Sequence, residues 1–377
     1  MLAAAAPQAN APQSDILPVC EVCMAISMRE VAKLAGVSSA TVSRVINGSS
    51  LVTEETAIQV RRVIQNLNFV PNNSALYLKQ GKSQIYGAII PDLTNPFFME
   101  LVKILEEVLV ENERELLVAN TDFRPSRLQR SIHRMLLRRV DGVVFLSSEL
   151  ESASLESLVQ NRIPIVTTDH YRTGPGMSDI LVDFPGGMAQ IVRHLKELGH
   201  RQVGFIGGSE GLVTSRVRRE SFLDAIVKNG LSSREEWIVS GNFKIAGGEA
   251  GMAAILSGPE RPTAVATAND LTAIGALRAA RDKGLRVPED ISVTGCDDIE
   301  MADIVNPPLT TLRISRKQYA QMLFAALRLE EDDVNRPGQV YRLPMKMVVR
   351  QSTGPAPMIE PGKKKSKSAR PATRKSS

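Results

Sequence analysis

The sequence predicts a small all-α helix-turn-helix domain at the N-terminus, followed by an α/β core of two doubly wound parallel-sheet lobes. Two observations support this fold class. Residues 28–47 have the side-chain pattern of two short helices joined by a glycine turn. From Ile85 onward, short apolar runs alternate with longer amphipathic segments, which is typical of parallel sheets covered by helices. The alternation is about twice as long as one doubly wound sheet needs, so we expect two lobes.

The helix-turn-helix pattern depends on a few small and apolar side chains. Ala32 lies where the two helices should cross, and only a small side chain fits there. Gly36 can take the left-handed conformation that the turn between the helices requires. Ser38 is placed to cap the second helix. Apolar side chains at helical spacing should pack the two helices together: Val31, Leu34, Val37, Val42 and Val45.

The second helix of this motif presents small polar side chains and an arginine. A short helix of this kind can enter the major groove of DNA and contact base edges. An ordinary helical hairpin is the alternative, but the combined alanine, glycine and cap positions favour DNA binding. The exposed face of the helix is formed by Ser39, Ala40, Thr41, Ser43 and Arg44.

Two further helical segments follow the motif. Thr53 should cap a third amphipathic helix, whose apolar stripe runs from Ala57 to Leu67. Residues 72–80 form a brief helical segment that is too short to be stable alone. We therefore assign residues 24–71 to the DNA-binding domain and residues 72–84 to a hinge helix and linker.

The core should consist of strands and helices in alternation. The strands are predicted at residues 85–90, 116–119, 142–146, 164–168, 203–206, 237–239, 264–267, 291–294 and 310–312. The helices are predicted at residues 97–111, 126–138, 186–199, 217–229, 246–256, 270–283 and 315–329. Residues 85–184 with about 315–340 should form lobe 1, and residues 185–314 with about 341–356 should form lobe 2.

The charge distribution fits a DNA-binding domain attached to a body that does not contact phosphates. The net charge is +5, with the positive charge concentrated in residues 24–83 and 357–377 and an acidic body between them. No apolar run approaches the roughly 18 residues of a membrane span, so we expect no membrane association. Residues 1–23 lack the basic start of a secretory signal, and we expect a dispensable, disordered leader on a cytoplasmic, nucleoid-associated protein. Residues 357–377 should be a disordered basic tail, either solvated or in contact with nucleic acid.

The cysteines lack the sequence pattern of a metal site. Cys20 and Cys23 make a lone CxxC motif, and Cys296 lies far along the chain. A structural zinc ion needs four ligands, and no histidine lies near this motif, so we predict neither a metal nor a cofactor.

Two other motifs could be mistaken for catalytic or nucleotide sites. The glycine-rich turn at residues 207–211 lacks the GxGxxG spacing, which favours a tight connection between a strand and a helix. Asp297 and Asp298 could be metal ligands or a catalytic pair, but no histidine or glutamate accompanies them at ligand spacing, which favours hydrogen bonding in a cleft. Four histidines, no GxSxG motif and no Walker lysine indicate that the chain is not an enzyme.

The sequence resembles the lactose-repressor family of bacterial transcription regulators over roughly residues 24–354. The resemblance rests on VAKLAGVSSATVSRVIN, LNFVPN, GAIIPDLTNPFF, HLKELGHRQVGFIGG, ATANDLTAIGALRA and GLRVPEDISVTGCDD. It implies a periplasmic-binding-protein-like core and a ligand-responsive, sequence-specific repressor. Such a protein binds a near-palindromic double-stranded operator as a homodimer. A two-lobed solute-binding protein without a transcriptional role is the alternative, but it would need a secretory signal and no helix-turn-helix.

The resemblance also implies which residues contact DNA. Ser39, Ala40 and Arg44 match positions that contact bases. Leu78 matches the hinge-helix leucine that inserts into the minor groove and bends the duplex. The positions that match family residues near phosphates are Ser38, Thr41, Ser43 and Asn47.

The resemblance further implies a second set of residues, which bind a small-molecule effector in the cleft between the lobes. Carboxylates and amides at the ends of strands, beside an aromatic face, suit a polyhydroxylated ligand. Arg216 and Arg218 are two candidates for one clamp position. Phe97 and Phe98 begin a predicted helix and could instead belong to the core. The other expected effector-binding residues are Asn95, Asp169, Phe243, Asn269 and Asp297.

Two departures from the family pattern bear on the effector. His170 follows Asp169 where sugar-binding relatives often have arginine, and Ile314 stands where relatives place glutamine. These departures argue against a plain hexose or pentose. Within the broader class of sugars, they favour a sugar acid or a sugar phosphate, held by an arginine. The candidate arginines are Arg216, Arg218 and Arg313.

Overall fold

The computed structural model describes residues 26–46, 48–69, 82–147, 150 and 152–357. Its contacts divide the chain into two compact units, residues 1–81 and residues 82–377, and each is described by itself. The leader, the tail, Asn47 and the hinge segment with Leu78, for all of which the sequence makes predictions, lie outside the described residues. Within the described ranges, every helix falls short of the length and apolar character that a bilayer crossing requires.

The N-terminal unit contains the predicted helices α1 (Met28–Leu34), α2 (Ser39–Ile46) and α3 (Glu54–Asn66). Gly36 has the left-handed φ of +62° that the turn requires. The Ser38 side chain accepts a hydrogen bond of 3.1 Å from the Thr41 amide, so the predicted cap of α2 is present. Thr53 caps α3 in the same way. The buried core of this unit comprises Val31, Ala32, Ala35, Val42, Val45, Ala57, Val60 and Phe69.

Leu34 is not part of this core, and the prediction that it packs between the helices is wrong. It is 62% exposed, whereas Ala35 is buried. Adjacent residues of a helix point about 100° apart, so Ala35 takes the inward position and Leu34 turns towards solvent.

Lobe 1 is built on one parallel sheet with the order β11-β5-β4-β3-β1-β2. Its strands are β1 (Ile85–Ile90), β2 (Glu115–Asn120), β3 (Gly142–Phe145), β4 (Ile165–Thr168), β5 (Met177–Val182) and β11 (Val340–Leu343). Its helices are α4 (Pro96–Val110), α5 (Pro125–Arg138), α6 (Ser152–Gln160) and α12 (Arg316–Asp332).

Lobe 2 has a second parallel sheet with the order β7-β6-β8-β9. Its strands are β6 (Val203–Ile206), β7 (Ile238–Val239), β8 (Ala264–Thr267) and β9 (Ser292–Thr294), and β10 (Thr311–Ile314) pairs antiparallel with β12 (Met345–Val348). Its helices are α7 (Phe184–Glu197), α8 (Val213–Lys228), α9 (Ile245–Ile255), α10 (Asp270–Asp282) and α11 (Met301–Ile304).

The structure corrects the sequence prediction at several places. The sequence did not predict β5, α6, α11 or the two strands near the C-terminal end of the core. Because β11 pairs with β5, the chain returns to lobe 2 near residue 344 rather than 340. Trp237 ends a 3₁₀ turn, Glu235–Trp237, instead of beginning a strand. The strand β5 was missed because Ser178 and Asp179 interrupt its apolar run, yet both are fully buried.

Candidate functional site

A cleft lies where the carboxyl ends of the two parallel sheets meet, as expected for doubly wound lobes. The empty space within it, its open mouth included, is about 780 Å³. The predicted effector residues that line it are Asn95, Phe97, Phe98, Asp169, Arg218, Phe243, Asn269 and Asp297. Arg216 does not line this cleft.

The first wall of the cleft comes from the start of α4. The Asn95 side chain accepts a 3.0 Å hydrogen bond from the Phe97 amide and so caps the helix, while Pro96 occupies its first turn. The rings of Phe97 and Phe98 meet edge to face with centroids 5.3 Å apart. Phe97 is also buried in the core, so the core and cleft alternatives for these rings do not exclude each other.

Asp169 follows β4 with a left-handed φ of +52°. Its side chain is buried on the side of the cleft that lobe 1 contributes. Its Oδ1 accepts a 2.8 Å hydrogen bond from the Val182 amide. Burial raises the pKa of Asp169 to about 7, against the smaller lowering effects of that hydrogen bond and of the Arg218 charge. Nearby, the Tyr319 hydroxyl donates a 2.8 Å hydrogen bond to Thr168.

Arg218 extends from α8 into the cleft between two aromatic rings. Its guanidinium carbon is 4.4 Å from the centroid of Phe184 and 5.3 Å from that of Phe243. It donates a hydrogen bond to the Ala268 carbonyl, and its Nη1 lies 3.8 Å from Asp297 Oδ1. Of the two clamp candidates, Arg218 therefore points into the cleft.

Arg216 lies on the solvent side of the same helix. Its side chain is 62% exposed and its Nη1 lies 3.4 Å from Glu220. Residues two apart on a helix point about 200° away from each other, so Arg216 and Arg218 cannot serve the same cavity.

Asn269 organises the wall that lobe 2 contributes. Its Oδ1 accepts a 3.0 Å hydrogen bond from the Thr272 amide and caps α10. Its Nδ2 donates a 3.0 Å hydrogen bond to the Phe243 carbonyl, which helps to hold Phe243 at its left-handed φ of +60°. The amide thus fixes the position of the aromatic ring that packs on Arg218.

Asp297 lies opposite Asp169, on a loop after β9, and is almost fully buried. Burial raises its pKa to about 6, and the charges of Arg218 and Arg316 act in the opposite direction. The Arg316 Nη1 donates a 2.6 Å hydrogen bond to the Asp297 carbonyl, while its Nη2 lies 3.1 Å from Glu100 on α4. Arg316 therefore connects the Asp297 loop of lobe 2 to lobe 1.

Two buried polar atoms in the cleft have no hydrogen-bond partner among the described residues. They are Arg218 Nε and Asp297 Oδ1, a donor and an acceptor on neighbouring side chains. Leaving such groups unpaired costs about 1–3 kcal/mol each. A ligand hydroxyl that reached this pair would have both a donor and an acceptor to bind.

The ionisable groups that line the cleft are mostly carboxyls. Three carboxylates line it within the described part of the chain, on Asp92, Asp169 and Asp297, and Arg218 is the one arginine or lysine among the lining residues. Arg313 is directed elsewhere, because it pairs with Asp298, which also lies 2.8 Å from Arg350.

The two departures from the family pattern differ in position. Ile314 lines the cleft, whereas His170 borders a separate surface depression beside Leu155 and Met177. The His170 amide donates a 3.3 Å hydrogen bond to Asp179.

Several lining residues were not predicted from the sequence. Phe184 follows β5, and because that strand was not predicted, its carboxyl end was not searched for site residues. Tyr319 sits inside a helix whose pattern indicates only core packing. The other unpredicted lining residues with polar or aromatic side chains are Asp92, Phe123, Ser147, Thr168, Thr214 and Asn242.

The predicted DNA-contacting residues that the structure describes lie on one short segment, Ser38 to Arg44. Ser38, Ala40 and Arg44 are exposed, and Ser39, Thr41 and Ser43 are half-buried. The opposite face of α2 is buried through Val42 and Val45. The segment therefore presents a small, polar, cationic surface of the width that a major groove accepts.

The chain matches known proteins along nearly its whole length. Residues 27–72 match the family described as bacterial regulatory proteins, lacI family, and residues 192–353 match the periplasmic binding protein-like domain. The HTH-type transcriptional repressor PurR of Actinobacillus pleuropneumoniae serotype 3 (strain JL03) is 35% identical over 330 residues, covering 86% of this chain and 98% of that protein.

Two further proteins extend these similarities. The ribose operon repressor of Escherichia coli (strain K12) is 35% identical over 306 residues, covering 80% of this chain and 92% of that protein. The crystal structure of the lac repressor dimer bound to operator and the anti-inducer ONPF aligns with a TM-score of 0.76 at 26% identity, covering 87% of this chain and 99% of that one.

Proposed function

The chain belongs to the lacI family of bacterial regulatory proteins, as a DNA-binding transcriptional repressor with a ligand-binding domain, and from this we propose that it represses sugar-utilisation genes under the control of a neutral sugar. The family consists of repressors, which confirms the prediction that the chain is not an enzyme. The match to the helix-turn-helix family argues against the alternative of a solute-binding protein.

The observation that carries the effector proposal is the pair of unsatisfied atoms in the cleft, Arg218 Nε and Asp297 Oδ1. A sugar hydroxyl both donates and accepts hydrogen bonds, so adjacent hydroxyls of one ring could pair with both atoms. The rings of Phe98 and Phe243 supply the apolar surface that a sugar ring needs.

The charge balance of the cleft favours an uncharged sugar over the sugar acid or sugar phosphate that the sequence suggested. A phosphate ester carries up to two negative charges and would meet one arginine that already lies 3.8 Å from Asp297. It would also lie beside the buried carboxyl of Asp169, whose ionisation an added negative charge would oppose further. Bringing an anion into this site would cost desolvation without compensating cations. A pentose is our first candidate, in keeping with the ribose operon repressor among the relatives.

We propose that the sugar acts by stabilising one arrangement of the two lobes. Several contacts already join them: Lys244 lies 3.7 Å from Asp92, and the Glu300 amide donates a 3.2 Å hydrogen bond to Glu100. A ligand that touches both walls adds to these contacts only when the cleft is closed. It can therefore shift the equilibrium by its difference in affinity for the two arrangements.

On the DNA side, we propose that two copies of the chain bind a near-palindromic operator. Ser39, Ala40 and Arg44 would contact bases, and Leu78 would insert into the minor groove at the operator centre. The exposed position of Arg44 supports this role. The lac repressor structure that resembles this chain is a dimer bound to operator, which supports the homodimer.

The test begins with sequencing of the DNA fragments that the purified full chain retains from genomic DNA, followed by gel shifts on the recovered site. We expect Arg44→Ala and Leu78→Ala to lose specific binding. Arg62→Ala is the matched control, because Arg62 is an exposed arginine on α3 of the same unit. Undiminished specific binding by Leu78→Ala would refute the hinge role.

The effector is then sought by calorimetry with neutral pentoses, hexoses, sugar phosphates and nucleobases. We expect a neutral sugar to bind and Arg218→Ala to abolish that binding, while the exposed Arg216→Ala leaves it unchanged. Binding of a sugar phosphate that depends on Arg218 would overturn the charge argument. Binding of a nucleobase instead would overturn the sugar assignment.

A further inference from the structure

Arg316, the first residue of α12, contacts both sides of the effector cleft from behind. Its guanidinium carbon lies 5.0 Å from the centroid of Phe97, an aromatic ring on the lobe 1 side. Its Nη1 donates hydrogen bonds of 2.6 Å to the Asp297 carbonyl and 3.1 Å to the Ile314 carbonyl. Those three residues line the cleft, whereas Arg316 does not. One buried cation therefore contacts three residues of the site without reaching the cavity itself.

The backbone at Asp297 has a conformation that depends on its surroundings. Asp297 and Asp298 have φ values of +121° and +56°, which residues other than glycine adopt rarely. Such a conformation persists only where neighbouring groups fix it. The Asp297 amide donates a 2.8 Å hydrogen bond to the Leu312 carbonyl of lobe 2, and the Asp297 carbonyl accepts one from Arg316 of lobe 1. The loop that carries Asp297 is thus supported from both lobes.

Glu100, on α4 of lobe 1, completes this support. Its Oε2 lies 3.1 Å from the Arg316 Nη2, and its Oε1 accepts a 3.2 Å hydrogen bond from the Glu300 amide, three residues beyond Asp297. The contact with Nη2 is an ion pair without hydrogen-bond geometry, so the charge of the arginine matters there more than its direction. The Arg316 side chain is only 9% exposed, so water could not replace Glu100 as its partner.

We propose that Arg316 and Glu100 are positioning residues of the effector site, which hold the Asp297 carboxyl where the effector binds it. This inference rests on the proposed effector role of the cleft. The Asp297 Oδ1 is buried and has no hydrogen-bond partner among the described residues, so its contact with a ligand depends on where the loop places it. Fixing a binding group before the ligand arrives lowers the entropic cost of binding. Because the support comes from lobe 1 and the loop belongs to lobe 2, it operates only while the two sides of the cleft face each other as in this structure.

The first test needs no ligand. Hydrogen exchange of the ligand-free full chain, followed by mass spectrometry, compares residues 296–301 with the core strands β6 and β8. In Arg316→Met, we expect the amides of residues 296–301 to exchange about tenfold faster, because a charged hydrogen bond to the loop is lost, while β6 and β8 stay as they are. Lys317→Met is the matched control, because Lys317 is exposed on the same helix. Unchanged exchange of the loop in Arg316→Met would overturn the proposal.

The second test measures the affinity for ribose by calorimetry. Arg316→Met should weaken ribose binding about tenfold or more. Arg316→Lys should recover part of this loss, because lysine keeps the charge beside Glu100 but lacks the planar fork that reaches the carbonyls. Equal losses in the two variants would attribute the effect to packing and contradict the role of the charge. Unchanged affinity in Arg316→Met, despite faster exchange of the loop, would refute the positioning role.

Glu100→Gln isolates the ion pair, because the amide oxygen can still accept the hydrogen bond from Glu300. We expect ribose binding to weaken by up to about fivefold, since the Glu100 side chain is one-third exposed. The control is Glu107→Gln on the same helix, where an exposed glutamate lies 4.0 Å from Lys103. If the pair acts as one unit, adding Glu100→Gln to Arg316→Met should cause little further loss, whereas fully additive losses would overturn the pairing.

These outcomes are separate from those of the sugar proposal. If ribose does not bind the unmodified chain, the first candidate for the effector fails. Hydrogen exchange of the loop then decides the positioning proposal by itself, with the lysine variant and the double variant compared in the same way.

Discussion

The buried carboxyl of Asp169 should make the stability of this protein depend on pH in a way that one substitution removes. Its Oδ1 accepts a 2.8 Å hydrogen bond from Val182, and burial raises its pKa from 3.8 to about 7. In Asp169→Asn, the amide oxygen can keep the hydrogen bond while the group no longer ionises. The two proteins then differ mainly in whether a charge forms in the cleft wall.

The size of the effect follows from the two pKa values. A tenfold change in proton affinity is worth about 1.4 kcal/mol, so ionised Asp169 costs the folded state about 4 kcal/mol relative to the unfolded chain. Because the folded pKa is raised, the stability of the wild type is highest below the unfolded pKa and falls as the pH rises through the folded pKa. Between about pH 5 and about pH 8, we expect the advantage of the asparagine variant to grow by about 3 kcal/mol.

The assay is urea denaturation of both proteins, without effector, followed by circular dichroism at several pH values. Subtracting the wild-type unfolding free energy from that of the variant removes the titration of all other groups, which both proteins share. A difference that stays constant across this pH range would refute the reasoning. A difference that shrinks as the pH rises would show that Asp169 is stabilised as an anion, by Arg218 for example.

Three further predictions concern single residues. Gly36→Val should destabilise the N-terminal unit by about 1–2 kcal/mol, because a Cβ there has free space but the φ of +62° is strained for a branched residue. Gly36→Asn should lower the stability less, and thermal denaturation of the two variants measures the difference. Gly208→Ala should abolish effector binding in calorimetry, because its Cβ would overlap the Phe243 ring, whereas Gly174→Ala, whose Cβ has no atom within 4 Å, should bind normally. Lys244→Ala should reduce effector affinity by no more than about fivefold, because its ion pair with Asp92 is half exposed and such pairs contribute up to about 1 kcal/mol. A hundredfold loss of affinity would indicate that Lys244 contacts the ligand directly.

The residues of the cleft show which features of the site can be predicted from local sequence patterns and which depend on long-range packing. Asn269 was predicted as a site residue from its position after a strand and Asn95 from its match to a family residue. The structure adds that both cap helices that begin at the cleft. Arg216 and Arg218 could not be distinguished from the sequence because no periodic apolar pattern defines the orientation of α8. Its buried positions, which include Ser215 and Ser221, carry polar side chains as well as apolar ones.

By itself, the sequence determined the local conformation of this protein: the glycine turn at Gly36, the caps at Ser38 and Thr53, and most of the alternation of strands and helices. These features depend on side chains within a few residues of one another. The tertiary structure alone decided that β11 returns to lobe 1, that Tyr319 reaches Thr168, and that Asp297 and Asp169 line one cavity. Those contacts join segments more than 100 residues apart along the chain, and no local periodicity records which distant surfaces meet.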